Sequence, residues 1–349
     1  MGDDGMTAVG TGRRIAFFGS NSLLAREIRG VLESRSFPAT DVRLYDEQGE
    51  GTISDYAGEA LVVTRPDEES LAGLDIAFLC GSAADMAPYL DWPARGGFTA
   101  IDLSGASSAR PDVPLVHTEI NAGAIAPAGR PAPPLIAAPH AVAHNAATLA
   151  AAARSVGRLS AVDVVALRPA SELGERGIDE LQRQTIGLLN FTETPREVFG
   201  RQAAFNVLPS AGVASSRAEG FDERARGELG RLLGADTMER LSLASAFVPV
   251  FHGHTLHVSL TFASPAQPSD LAAELAQARG IRLVEDLQDF SPVDLAGEEA
   301  VAVAGLALDP GRPERIGLWA FCDNLRGGSA LNAIRIAERV ADLLPERRS

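Results

Sequence analysis

The chain reads as an α/β protein of two domains, a doubly wound and mostly parallel sheet followed by a second α/β domain. Three observations predict this. The apolar run Arg14-Ile15-Ala16-Phe17-Phe18 ends in Gly19 and passes directly into a helical repeat. Short apolar runs of the same kind recur as far as Ala137, at a spacing that leaves room for helices or loops between them. Beyond that point the strands lengthen and alternate, as in an antiparallel sheet. The 349 residues also exceed what one hydrophobic core ordinarily serves.

The elements follow in order. Arg14 to Gly19 suits a buried parallel strand. Leu23, Leu24, Ile28, Val31 and Leu32 then mark a helix over Leu23 to Leu32. Val42 to Tyr45, Leu61 to Val63, Ile76 to Leu79 and Ala100 to Leu103 are further strands. The proline-rich Pro127 to Pro134 is a loop before the strand Leu135 to Ala137. An alanine-rich helix over Ala143 to Val156 leads into the second domain. There we expect strands at Ala161 to Leu167, Ser245 to Val250, Thr255 to Phe262, Ala300 to Leu308 and Ile316 to Phe321. Helices are expected around Ile178 to Leu189, Glu223 to Leu233 and Leu271 to Ala278. A closing helix, Ala330 to Leu344, returns the chain to the first domain with Leu331, Ile334, Ala337, Val340 and Leu344 on one face.

Composition narrows the function. Hydrophobic residues at 46% and charged residues at 22% place the chain in the globular class, and its net charge is −15. That charge argues against nucleic acid as a partner, though a small anionic ligand needs only one or two local arginines. No apolar run approaches the roughly 20 residues of a membrane span. Cys80 and Cys322 are too few for a disulfide framework. Met1 to Gly12 has no apolar core and reads as a disordered tail rather than a signal peptide, so a cytoplasmic protein is expected.

The turn Gly19-Ser20-Asn21-Ser22-Leu23-Leu24-Ala25 is where a Rossmann-type domain would bind a dinucleotide. Glycines there let the backbone approach the pyrophosphate and the helix pack on its strand. Only the first of three survives; the others are Ser22 and Ala25. Taken alone, the turn fits equally a strand-to-helix connection that holds no nucleotide. After the second strand, Tyr45-Asp46-Glu47-Gln48-Gly49-Glu50 offers acids that would repel the 2′-phosphate of NADP and suit a ribose hydroxyl. NADP, NAD or no nucleotide stay open.

Several separate motifs in order carry a resemblance. They are Ile101-Asp102-Leu103-Ser104, Pro111 to Val116, Glu119-Ile120-Asn121, Phe205 to Pro209, Phe247 to His254 and Asp323 to Ala333. Together they resemble the aspartate-β-semialdehyde dehydrogenase family over roughly residues 13 to 344. The resemblance implies a Rossmann NAD(P)-binding domain over 13–140, completed by the helix at 330–344, and an α/β dimerisation domain over 141–325. It implies a homodimer and an NADP-dependent reaction of amino-acid biosynthesis between β-aspartyl phosphate and its semialdehyde. In that reaction a cysteine thiolate attacks the carbonyl, a histidine moves protons, and two arginines grip carboxylate and phosphate.

Carried onto this chain, the family's N-P-N-C-[ST] turn falls on Ala138 to Val142. The nucleophile is therefore Ala141, and the asparagine before it is His140. The acid/base histidine is retained as His254. The carboxylate-binding arginine seven residues earlier falls on Phe247. The phosphate-binding arginine falls on Ser108, with Arg110 two residues on as a partial substitute. The glutamine of Y-Q-x-x-S-G falls on Arg168, and the pocket lysine on Arg224. Asn324 persists near the nicotinamide site, while the lysine of R-K-G becomes Gly327.

Other readings of these side chains are weaker. Cys80 ends a strand and is expected to pack there; Cys322 is expected to be buried. His140 and His144 face one side of a helix start, and His252, His254 and His257 cluster, but no carboxylate is spaced to complete a metal set, so no metal is expected. Arg168, Arg224 and Arg110 offer a pocket for a small anion. The sequence thus favours a catalytically silent relative with a binding or assembly role. The alternative is an NAD(P)-dependent oxidoreductase with residual or altered activity.

Overall fold

A computed structural model describes residues 12–127, 130–214, 220–234, 240–286, 288 and 290–345. Most of the expected disordered tail lies outside the described residues. In the first sheet, apolar segments flanked by turns form β1 (Arg13–Phe18), β2 (Ala39–Tyr45), β3 (Ile53–Tyr56), β4 (Glu59–Thr64), β5 (Ile76–Leu79), β6 (Thr99–Asp102) and β7 (Leu135–Ala137). Their order is β3-β4-β2-β1-β5-β6-β7. From β4 to β7 every pair is parallel, and β5 and β6 are buried throughout, as strands covered on both faces must be. From β1 the chain steps to β2 on one side and later to β5 on the other. A ligand crevice belongs at the carboxyl ends of strands where such an order reverses.

The edge strand β3 was not expected. It forms an antiparallel hairpin with β4 through Ala57 and Gly58, both at positive φ (51° and 80°). Such turns are ordinarily signalled by Asn-Gly or Asp-Gly, and alanine at the first position hides this one.

Helix α1 (Leu23–Ser34) follows β1, with short helices α2 (Ala83–Met86) and α3 (Trp92–Gly96) after β5. Helix α4 (Ala141–Ala153) crosses to the second sheet. Its small side chains share one core with Phe18 and Leu79 of the first sheet and Val164 and Leu256 of the second. The second sheet contains β8 (Leu159–Arg168), β9 (Leu208–Pro209), β10 (Leu241–Phe247), β11 (His254–Phe262), β12 (Ile281–Leu283), β13 (Val301–Asp309) and β14 (Arg312–Cys322). The order is β12-β13-β14-β11-β8-β10-β9. It is mixed: β11 runs antiparallel to β8 and β14, while β10 is parallel to β8.

The strand expected at Ser245 to Val250 lies earlier, because Pro249 has no N–H to donate and the chain leaves the ladder after Phe247. Helix α5 (Gly174–Leu189) starts a turn before its predicted Ile178; α6 (Phe221–Leu233) and α7 (Pro268–Gln277) complete the domain. The closing helix α8 (Leu331–Leu343) follows a kink at Gly327 and Gly328. It packs Ile334, Ala337 and Val340 against Ile15, Phe17 and Ile28 of the first domain. No described helix is long and apolar enough to cross a membrane.

Candidate functional site

A cleft of ≈ 770 Å³ opens at the carboxyl ends of β1 and β5 and reaches β8, α6 and the turn before α8. It is within the size range of small-molecule sites. Its walls hold Gly19, Asn21, Ser22, Leu23 and Leu24 at one end and His140, Arg168, Glu172, Arg224 and Asn324 at the other.

The first end is set by backbone. Gly19 has φ +67°, and a Cβ on it would lie 2.7 Å from the Gly81 nitrogen, so the two strand ends meet there as only glycine allows. Ser22 spends its hydroxyl as the N-cap of α1, accepting from the Ala25 N–H at 3.2 Å. Ser20 is buried, and its Oγ has no partner among the described residues. Asp46, just past β2, turns its carboxylate to this turn. Its Oδ2 accepts from the Asn21 N–H at 3.3 Å, and its Oδ1 from the N–H groups of Gln48 and Gly49. Beside it Tyr89 donates to Glu47.

A domain of this kind implies a dinucleotide at this end. The bare Gly19 crossing and the open cleft fit a pyrophosphate. Asp46 Oδ2 keeps a lone pair for a ribose hydroxyl. The walls at this point are Asp46, Glu47, Gln48 and Gly49, and their acids would repel a 2′-phosphate. The residues present fit a dinucleotide of the NAD(P) class.

The second end is set by side chains. Ala141 opens α4 and is buried; His140 is that helix's N-cap. The Val142 N–H donates to His140 Nδ1 at 3.2 Å, which leaves the proton of a neutral ring on Nε2, facing Glu172 Oε1 at 3.0 Å. His254 Nε2 lies 2.5 Å from the same oxygen, and Arg168 Nε pairs with Glu172 Oε2. The Arg168 guanidinium lies 3.4 Å from the Phe221 ring centroid and 4.4 Å from that of Phe247. Burial opposes charge on Glu172, yet Arg168 above all, then His254 and His140, holds its carboxyl well below the usual carboxylate range. Burial lowers His140, with Glu172 pulling the other way.

Glu172 escaped the sequence analysis. It stands four residues after Arg168 and falls on the glycine of the Y-Q-x-x-S-G pattern, and that departure was the available signal. It brings a carboxylate to His140 and His254, which the sequence spacing did not show. Even so, no group of three His, Cys, Asp or Glu among the described residues is arranged to hold a metal. His144 instead stacks on His117 with centroids 3.8 Å apart, and His257 packs on Trp319.

Arg224 lines the cleft and donates to the Ser104 carbonyl, with Nε unpartnered among the described residues, 4.0 Å from Glu228 Oε1. Asn324 is held by Gly253 N–H and Ser171. Arg110 does not reach the cleft: it is exposed and forks onto Asp112, the near neighbour that captures it. Ser108 is buried on the Gly105 carbonyl. Burial raises both thiols, Cys322 to about 12 with its Sγ held by Asn145, and Cys80 further still.

Two family models match this chain: semialdehyde dehydrogenase, NAD binding domain, over residues 14–128, and semialdehyde dehydrogenase, dimerisation domain, over residues 149–327. The chain belongs to the semialdehyde dehydrogenase family. The aspartate-semialdehyde dehydrogenase of Mycolicibacterium smegmatis is 30% identical over 90% of this chain and 94% of its own length. A protein named USG-1 protein homolog, from Pseudomonas aeruginosa, is 29% identical over 93% of this chain and 96% of its own. The crystal structure of aspartate semialdehyde dehydrogenase II from Vibrio cholerae superposes with a TM-score of 0.85 at 26% identity, covering 95% of this chain and 99% of that one. Within this family, the first sheet and its Gly19 turn are the NAD-binding domain, and the second sheet is the dimerisation domain.

Proposed function

We propose that this chain is a non-catalytic member of the semialdehyde dehydrogenase family, a homodimer that binds a dinucleotide of the NAD type and serves a binding or assembly role. The observation that carries the reading is Ala141. A methyl group stands at the head of α4 where the resemblance calls for a thiolate, and burial keeps Cys80 and Cys322 protonated. Phe247 and Ser108, at the positions of the two substrate arginines, add no cation, and Arg168 is already matched by Glu172. His254, the retained acid/base, faces Glu172 as well.

Support for self-association lies on the outer face of the second sheet. Val165, His257 and Trp319 are register neighbours across β8, β11 and β14, and Val165 and Trp319 are 47% and 38% exposed. The free, buried cysteines suit a reducing compartment such as the cytoplasm.

The deciding experiment is phosphate-dependent reduction of NADP and of NAD with aspartate semialdehyde. Background rates are expected from the natural chain and from Ala141→Cys. Turnover near that of an ordinary family member by the natural chain would overturn the reading. Recovery by Ala141→Cys alone would show that the substrate is still gripped. Titration with both nucleotides should show tighter binding of NAD.

A further inference from the structure

Glu172 is an acid on the wall of the cleft that the resemblance does not account for. Its side chain is 5% exposed, and its two oxygens meet Arg168, His140 and His254. Those three arrive from β8, from the head of α4 and from the first residue of β11, so the fold assembles a carboxylate receptor from three separate elements. The Arg168 guanidinium packs on the Phe221 and Phe247 rings, donates from one amino group to Ser210 Oγ at 3.2 Å, and donates from Nε to Glu172.

The turn carrying Glu172 is fixed rather than loose. The Ala170 and Ser171 N–H groups bond to the carbonyls of Val250 and Phe251, and the Ser171 side chain to Asn324. Gly174, at φ +71°, then turns the chain into α5. The carboxylate is therefore presented to its receptor by backbone pinned on both sides.

We propose that Glu172 is the pocket's own ligand: its carboxylate occupies a receptor for small monocarboxylates formed by Arg168, His140 and His254, and closes it to carboxylates from solution. This deepens the non-catalytic reading, because it says what the reacting end holds. It can fail independently of it, since its test involves no turnover.

The test is size-matched rescue. Glu172→Ala removes a CH₂ and a carboxylate, the framework that acetate restores. Glu172→Gly removes one carbon more, which propionate restores. The melting temperature of each variant is followed against sodium acetate and sodium propionate, with sodium chloride at equal ionic strength as reference. Ligand that binds only the folded state raises it by an amount that grows as ln(1 + L/Kd), L being the free ligand concentration. The natural chain should respond as it does to chloride. Glu172→Ala should bind acetate at least tenfold more tightly than the natural chain, and Glu172→Gly should prefer propionate. The double variant Arg168→Met/Glu172→Ala should lose the response. Should the single variants fail to fold alone, folded protein should be recovered by refolding in the matching acid and not in chloride. Equal acetate binding by the natural chain, or no gain over chloride in the single variants, overturns the proposal.

Discussion

The two ends of the cleft have been altered to different depths. At the nucleotide end, two of three turn glycines are gone, yet the features that act there are backbone features: the positive φ of Gly19, the N-cap of α1 and the N–H groups of the turn. Small substitutes leave them in place. At the other end the walls are side chains, His140, Arg168, Glu172 and Arg224, and Arg168 and His140 are paired with Glu172. A site written in backbone tolerates side-chain change; a site written in side chains does not.

The sharpest way to break this comparison is at the second end. Glu172→Ala should cost on the order of 3–5 kcal/mol in urea unfolding, since it removes one partner of a buried ion pair. A loss under about 1 kcal/mol would mean that the cluster is not holding the domain.

His144 of helix α4, stacked on His117, gives the next effect. Burial lowers His117 to about 4 and His144 well below its usual value. The unfolded chain therefore takes up protons that the folded chain refuses, and stability falls as pH drops from about 6.5 toward 4, by an amount on the order of 3 kcal/mol for His117. His117→Phe should flatten that limb. Glu172 has the depressed carboxyl: its contribution is present above the ordinary carboxylate range and is lost at more acid pH, as its folded-state value is crossed. Unfolding measured from pH 7 to 4 separates the two.

Gly19→Ala probes the backbone end. Left-handed φ disfavours a side chain by roughly 1–2 kcal/mol, and the contact with Gly81 adds to it. Loss of NAD binding should accompany the drop in stability. The mildest change is Ser22→Gly. Replacing a serine N-cap by glycine costs only about a few tenths of a kcal/mol. Restoring the second turn glycine should tighten NAD binding, and unchanged affinity would mean that Ser22 never narrowed the site.

Much of the fold was legible before the structure. The parallel strands are unbroken apolar runs, and the long helices carry regular apolar faces, so local periodicity identifies them. Boundaries drifted where a single residue decides them, as with Pro249 at the end of β10 or Ala57 in the β3–β4 turn. Arg168, Arg224 and Asn324 do reach the cleft, and His254 is buried behind it on Glu172, because their places follow from motifs in register with the family. Arg110 does not, because proximity in sequence to Ser108 says nothing about which carboxylate is nearest in space.

By itself the sequence determined the two-domain α/β frame, the glycine crossing after β1 and the methyl group at position 141, since each depends on residue type and local pattern. Only the tertiary structure decided what faces that methyl group's neighbours. The histidines at 140 and 254 come from distant segments, and their meeting on Glu172 depends on how β8, α4 and β11 pack. There Arg168, with His254 and His140, holds Glu172 as a carboxylate against its burial.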